Sequence, residues 1–173
     1  MYGRRKVLVF ILLMAFCLLV LSACGGEDFS LPPQRAEDFT LRLMAGDEVL
    51  AVVTLDEIKA MPSKRKNMVT QSSSLGTLNN EFEGVQLSDI IKSVDESILK
   101  DYTMLTAYGA DGYFSQVMMA EVLDYSNVFI MYKNHDKLME TLVGDEGSMR
   151  IVVCNDPFGQ RFTNYLVDIV FEK

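Results

Sequence analysis

The chain offers few side chains for chemistry, and their spacing narrows the choice further. Its cysteines are Cys17, Cys24 and Cys154, and His135 is its single histidine. That inventory falls short of the four Cys or His ligands of a usual zinc site. Cys154 closes the apolar run Ile151-Val152-Val153, which marks it as a buried structural thiol rather than a nucleophile. Acidic pairs stand at Asp56-Glu57, Asp95-Glu96 and Asp145-Glu146, in helix starts or loops, where they read as solvated surface. No glycine-rich run precedes a Lys-Ser or Lys-Thr pair, and there is no Gly-x-Ser-x-Gly elbow. Phosphate-loop and serine-hydrolase chemistry therefore have no carrier. What remains is two polar constellations. One is Ser72, Ser73 and Ser74, followed by Asn79 and Asn80; the other is Asn155 to Arg161, which leaves an apolar strand and ends on a guanidinium.

Cys24 stands apart because of what precedes it. Arg4, Arg5 and Lys6 lead into an apolar run of 15 residues, Val7 to Leu21, and then Ser22-Ala23-Cys24. A basic start, a short apolar stretch and a small-residue exit make a secretory signal. The run is short for a membrane span, which needs about 20 apolar residues. Leu21-Ser22-Ala23-Cys24 resembles the lipobox of bacterial lipoproteins. The resemblance implies cleavage before Cys24 and a thioether-linked diacylglycerol on it. The expectation is an extracytoplasmic domain, lipid-anchored to the bacterial cell membrane through Cys24.

From Cys24 onward the chain carries 13 Lys and Arg against 24 Asp and Glu, a net charge of −11. Such a surface is a poor partner for nucleic acid. The expected organisation is a signal peptide over residues 1–23, a tether over 24–38 and one domain over 39–173. In that domain Phe39–Leu43 and Val49–Val53 read as a hairpin, and Thr54-Leu55-Asp56-Glu57 as a capping box that starts a short helix. Asn67–Thr70 reads as a strand, 72–84 as a polar loop, and Leu87 as the opening of a second helix with Ser88 as its cap. Met104–Tyr108 and Tyr113–Val117 pair about the turn 109–112. A turn or two of helix over Ala120–Leu123 and the strands Val128–Tyr132, Arg150–Val153 and Leu166–Phe171 complete the domain. Short strands with brief helices predict an α+β, mainly β domain rather than regular βαβ units.

Five segments in order resemble one family. They are VTLDEIKAMPS (53–63), FEGVQLSDII (82–91), LTAYGADGY (105–113), VFIMYKNHDKL (128–138) and GSMRIVVCNDPFGQRFTNYLVDIVF (147–171). Together they are similar to the molybdopterin-binding domain of the sulfite-oxidase superfamily. The resemblance implies that fold, and a cleft between the serine loop and the loop Asn155–Arg161. Gly159 and Arg161 match the family loop that lies along the pterin and its phosphate. The implied cleft residues are Ser72, Ser73, Ser74, Asn79, Tyr108, Asp111, Asn155, Phe158, Gly159 and Arg161.

The sequence departs from the family at the metal. Family chemistry depends on a cysteine thiolate on the loop after the strand Asn67–Thr70, and here Gln71-Ser72-Ser73-Ser74 occupies it. The segment between Cys24 and that loop holds no histidine, and the domain is strongly acidic where an anionic cofactor needs cations. The resulting expectation is a non-catalytic domain without a cofactor or metal, binding a small-molecule ligand or an envelope protein. The alternative is a molybdopterin-dependent oxidoreductase with a serine metal ligand.

Overall fold

The computed structural model describes residues 35–72, 76–156 and 159–173. Cys24, the expected site of lipid attachment, the serines Ser73 and Ser74, and Phe158 lie outside them; of Ser72 only the backbone is described.

Two sheets carry the fold. The first runs β2 (Glu48–Thr54), β1 (Thr40–Ala45), β11 (Leu166–Glu172), β5 (Met104–Gly109), β6 (Phe114–Met118). Only the β1–β11 pair is parallel. The second runs β3 (Lys64–Ser72), β4 (Gly76–Gln86), β7 (Val128–Asn134), β8 (Lys137–Glu140), β9 (Glu146–Ser148), with β10 (Arg150–Val153) also on β7. Four short helices accompany them among the described residues: α1 (Leu55–Ala60), α2 (Leu87–Val94), α3 (Ile98–Asp101) and α4 (Met119–Leu123). The architecture is mainly β, and the α+β class fits it loosely.

Period-two alternation sorts side chains into two cores. On β7, Val128, Ile130 and Tyr132 face the main core, while Phe129 and Met131 face a second, smaller cluster. β10 alternates likewise: Ile151 and Val153 face the main core and Val152 the second. Arg150 therefore shares the face of Val152, the face that builds the site below. The main core also takes Leu55 and Ile58 from α1 and Leu87, Ile90 and Ile91 from α2.

The Thr54 capping box forms as expected, with the Thr54 hydroxyl receiving the Glu57 N–H at 3.2 Å and Glu57 Oε2 receiving the Thr54 N–H at 2.8 Å. Two local readings change. The polar stretch 72–84 is a strand over most of its length, because β4 pairs with β3 from Lys64↔Gly84 to Ser72↔Gly76. Leu78 and Phe82 share one face of this strand, a sparse pattern that its Asn and Ser content concealed. Ser88 makes no cap; it bonds the Gln86 side chain at 2.8 Å, and Gln86 takes the N-cap position without a side-chain cap bond.

Residues Arg35 to Asp38, the end of the expected tether, lie against the body. Arg35 donates to the carbonyls of Thr40 (2.8 Å) and Val167 (3.0 Å), and Glu37 accepts from Ser148 and from the Leu142 N–H.

Candidate functional site

Arg150 opens a strand whose other three residues are buried apolar ones. Its position opposite Met131 on β7 puts it at the margin of the second cluster. The guanidinium rests over the Phe82 ring, 5.3 Å from its centre, and forms no ion pair with a described carboxylate. Its buried Nε has no hydrogen-bond partner among the described residues. Burial pulls its pKa below the ordinary arginine value, with Tyr165 opposing that shift. The group stays cationic, because an arginine is not deprotonated in a protein.

A cleft of about 260 Å³ opens beside it, lined by Arg150, Asn164, Tyr165, Asn134, Ser148 and Met149, with Leu138, Met139 and Glu140 from β8. It lies just below the range of about 300–1,000 Å³ typical of ligand sites. Tyr165 enters it from a backbone with φ of 51°, a left-handed conformation uncommon outside glycine and worth attention near a site. Asn134 is committed elsewhere, bonding the Asn80 side chain at 3.1 Å and the Glu81 N–H at 3.0 Å. A recessed guanidinium on an aromatic face, beside amide, phenol and hydroxyl groups, is suited to an oxyanion or carboxylate. Glu140 sets a limit on the charge that fits, because its carboxylate lines the same cleft.

The residues expected to form the cleft divide between several places. Thr70, on β3 just before the serine loop, meets the far loop: a Cβ on Gly159 would stand 3.1 Å from Thr70 Cγ2. Gly159 itself has φ of 64°, open to glycine alone without strain. Asn79 offers its carbonyl to the His135 ring at 2.9 Å. Tyr108 lies on β5 in the first sheet, 5.9 Å from the Phe114 ring, and burial pushes its pKa up. Asp111 closes the β5–β6 turn by accepting the Tyr113 N–H at 3.0 Å. Asn155 donates to Asp124 at 3.1 Å. Arg161 is held by Glu121 at 2.8 Å and Asp156 at 3.3 Å, so its charge is already answered. The sequence reading places Arg150 only as the start of the strand Arg150–Val153 and does not single out Asn164 or Tyr165. The available signal was a lone arginine inside Met149-Arg150-Ile151-Val152-Val153, where burial of a charge demands a partner.

The cofactor implied by the family needs a soft thiolate at its metal. Cys154 packs against Phe82, Phe129, Met131 and Val152, and burial pushes its thiol pKa up, with Lys66 opposing. A thiol kept protonated is a poor metal ligand. Among the described residues no three His, Cys, Asp or Glu side chains gather as a metal site. The donors beside Arg150 suit an oxyanion, and the serines expected at the metal, Ser73 and Ser74, lie outside the described residues.

No protein-family model matches this chain, and no curated protein does. Among solved structures it is similar to the sulfane dehydrogenase SoxCD from Paracoccus pantotrophus, with 17% identity and a TM-score of 0.62. The match covers 82% of this chain and 39% of that one. At that identity the likeness shows the fold alone. That fold is sulfite-oxidase-like, in agreement with the five sequence segments.

Proposed function

We propose that this chain is a lipid-anchored, extracytoplasmic binding domain that holds a small anionic ligand in the Arg150 cleft and performs no redox chemistry. The observation that carries the reading is the half-buried Arg150 guanidinium, in no ion pair with a described carboxylate, its buried Nε without a hydrogen-bond partner among the described residues, and open to a cleft. A buried cation left uncompensated is costly, and an anion from outside would answer it. The anchor rests on Leu21-Ser22-Ala23-Cys24. Cys24→Ala should abolish the lipid mass and release the protein from the membrane fraction; an unchanged mass would remove the anchor from the account.

A second reading, a molybdopterin-dependent oxidoreductase with a serine ligand, draws on the fold and on the same guanidinium, since that cofactor is also anionic. Metal analysis of protein made in a host that synthesises the cofactor separates the two. The binding-domain reading expects no bound molybdenum, and a stoichiometric amount would replace it with the second.

A further inference from the structure

We propose that the turn carrying Leu142 and Val143 seats in the lipid interface of the anchoring membrane, as a second contact that orients the domain. The inference rests on the lipid attachment at Cys24 proposed above and goes beyond it.

The turn is built against the usual chemistry of turns. It joins β8 to β9, with the Gly144 N–H on the Thr141 carbonyl at 3.0 Å and a φ of 94° at Gly144. The two positions between commonly hold Gly, Pro, Asn, Asp or Ser; here they hold leucine and valine. Leu142 is 53% exposed and Val143 84%, the highest value among the described large apolar residues. The base of the turn is braced. Thr141 is buried, its N–H meets the Asp145 carbonyl at 2.7 Å, and its hydroxyl accepts the Asp145 N–H at 3.0 Å. Glu37 accepts the Leu142 N–H at 2.7 Å. Scattered single apolar residues on a surface need no explanation, but two adjacent ones held outward by a braced turn do.

The path of the chain selects the occupant. Arg35, Ala36 and Glu37 line a cleft of about 280 Å³ together with Ala110, Leu142 and Val143. The turn therefore stands beside the first residues described after the expected anchor, and 11 residues, Cys24 to Gln34, separate that anchor from Arg35. A segment of that length reaches about 36–40 Å fully extended and about 17–20 Å as a flexible coil. A lipid on Cys24 thus keeps this end of the domain within reach of the bilayer. Short tethers give effective concentrations of about millimolar, so an apolar contact too weak to recruit a free protein still settles a tethered one.

Charge refines the choice. Glu140, Asp145 and Glu146 flank the turn. A second copy docked turn to turn would set these acids against like charge, which disfavours self-association here. The same acids make a zwitterionic interface a better seat than an anionic one.

The test uses full-length protein from a host that processes lipoproteins, its lipid mass confirmed, in phosphatidylcholine vesicles. The chain has no tryptophan, so Val143→Trp supplies a single reporter. Its emission should shift to the blue on reconstitution. It should also lose about half its intensity to acyl chains brominated near the headgroup, as befits a side chain seated about 5–10 Å into the interface. Tyr125→Trp is the control, because Tyr125 meets Lys64 of β3, at the opposite edge of the second sheet from β9. That reporter should stay unshifted and unquenched, and both variants should keep the parent's thermal transition. Phosphatidylglycerol in the vesicles should weaken the quenching of Val143→Trp. With the lipid on Cys24 confirmed, an unquenched Val143→Trp would overturn the proposal and leave the anchor standing. A chain without the lipid mass would remove the anchor and the proposal with it. A blue shift without quenching would mean that the tether, a second copy or another protein covers the turn, and would overturn the proposal too. So would equal quenching of both reporters, or quenching that grows with phosphatidylglycerol.

Discussion

The guanidinium of Arg150 lies 5.3 Å from the centre of the Phe82 ring. This single relationship separates Arg150 from the other arginines of the domain, each of which meets at least one carboxylate within 4 Å. Arg35 and Arg42 converge on Asp168, Arg65 on three surface acids, and Arg161 on Glu121 and Asp156. An aromatic face attracts a cation without neutralising it. The electrostatic demand at Arg150 therefore stays open, and the cleft beside it is where it can be met.

The Asp168 cluster should behave in the opposite way, as closed structure. Arg42 grips Asp168 through two bonds of 2.7 and 2.6 Å, and Arg35 Nε stands 3.4 Å from the same carboxylate. The Asp168 side chain is 2% exposed. Asp168→Asn leaves two guanidinium groups facing a neutral amide and should cost about 3–5 kcal/mol. Denaturant unfolding measures this, and a loss under about 1 kcal/mol would place the cluster among weak surface pairs.

Acid sensitivity should follow Glu121. Its hydrogen bond to Arg161 holds its carboxyl below the usual carboxylate range, with partial burial opposing. The folded pKa is thus below the unfolded one, about 4.3. The stability from this pair is complete above the unfolded value and is lost as pH falls through the folded one. Arg161→Met should lower stability at neutral pH and flatten the acid limb below about pH 4.5, leaving the slope above about pH 6 as it was. An acid limb unchanged by the substitution would show that other carboxylates control it.

Cys154 should react slowly. Its thiol packs in the second cluster, and burial raises its pKa. Native protein should be labelled by a thiol reagent far more slowly than unfolded protein, and faster only as pH becomes alkaline. Cys154→Ala should cost about 1 kcal/mol through a small lost volume. Rapid labelling at neutral pH would contradict the packing.

The fold was legible where local chemistry and periodicity agreed. The Thr54-x-x-Glu57 box, the strand Arg150–Val153 and the turn at Asp111 are each written in adjacent residues, and each forms where expected. β4 was not legible, because its hairpin partner lies along Lys64–Ser72 and its core residues, Phe82 and Val85, serve different clusters across an irregularity at Glu83/Gly84 that breaks the period of two. Gly84, placed at the end of the expected loop 72–84, shows the same limit: it sits within β4. A Cβ there would stand 2.2 Å from the Ile130 carbonyl oxygen, a contact set by β7 and invisible in the neighbouring sequence. At the site, Arg161 looked open because Glu121 is distant in sequence, and Arg150 looked ordinary because its isolation is a fact of packing.

The most direct measurement is titration calorimetry of sulfate, phosphate and small carboxylates into the full-length chain and its Arg150→Met variant. The account predicts saturable binding of at least one such anion, weakening with salt. In the variant it should be weaker by about 1.5–3 kcal/mol, the worth of a charge-assisted bond. That is roughly ten- to 150-fold in Kd. Equal binding by both proteins, or no anion bound by a wild-type chain whose thermal unfolding is cooperative, would contradict it.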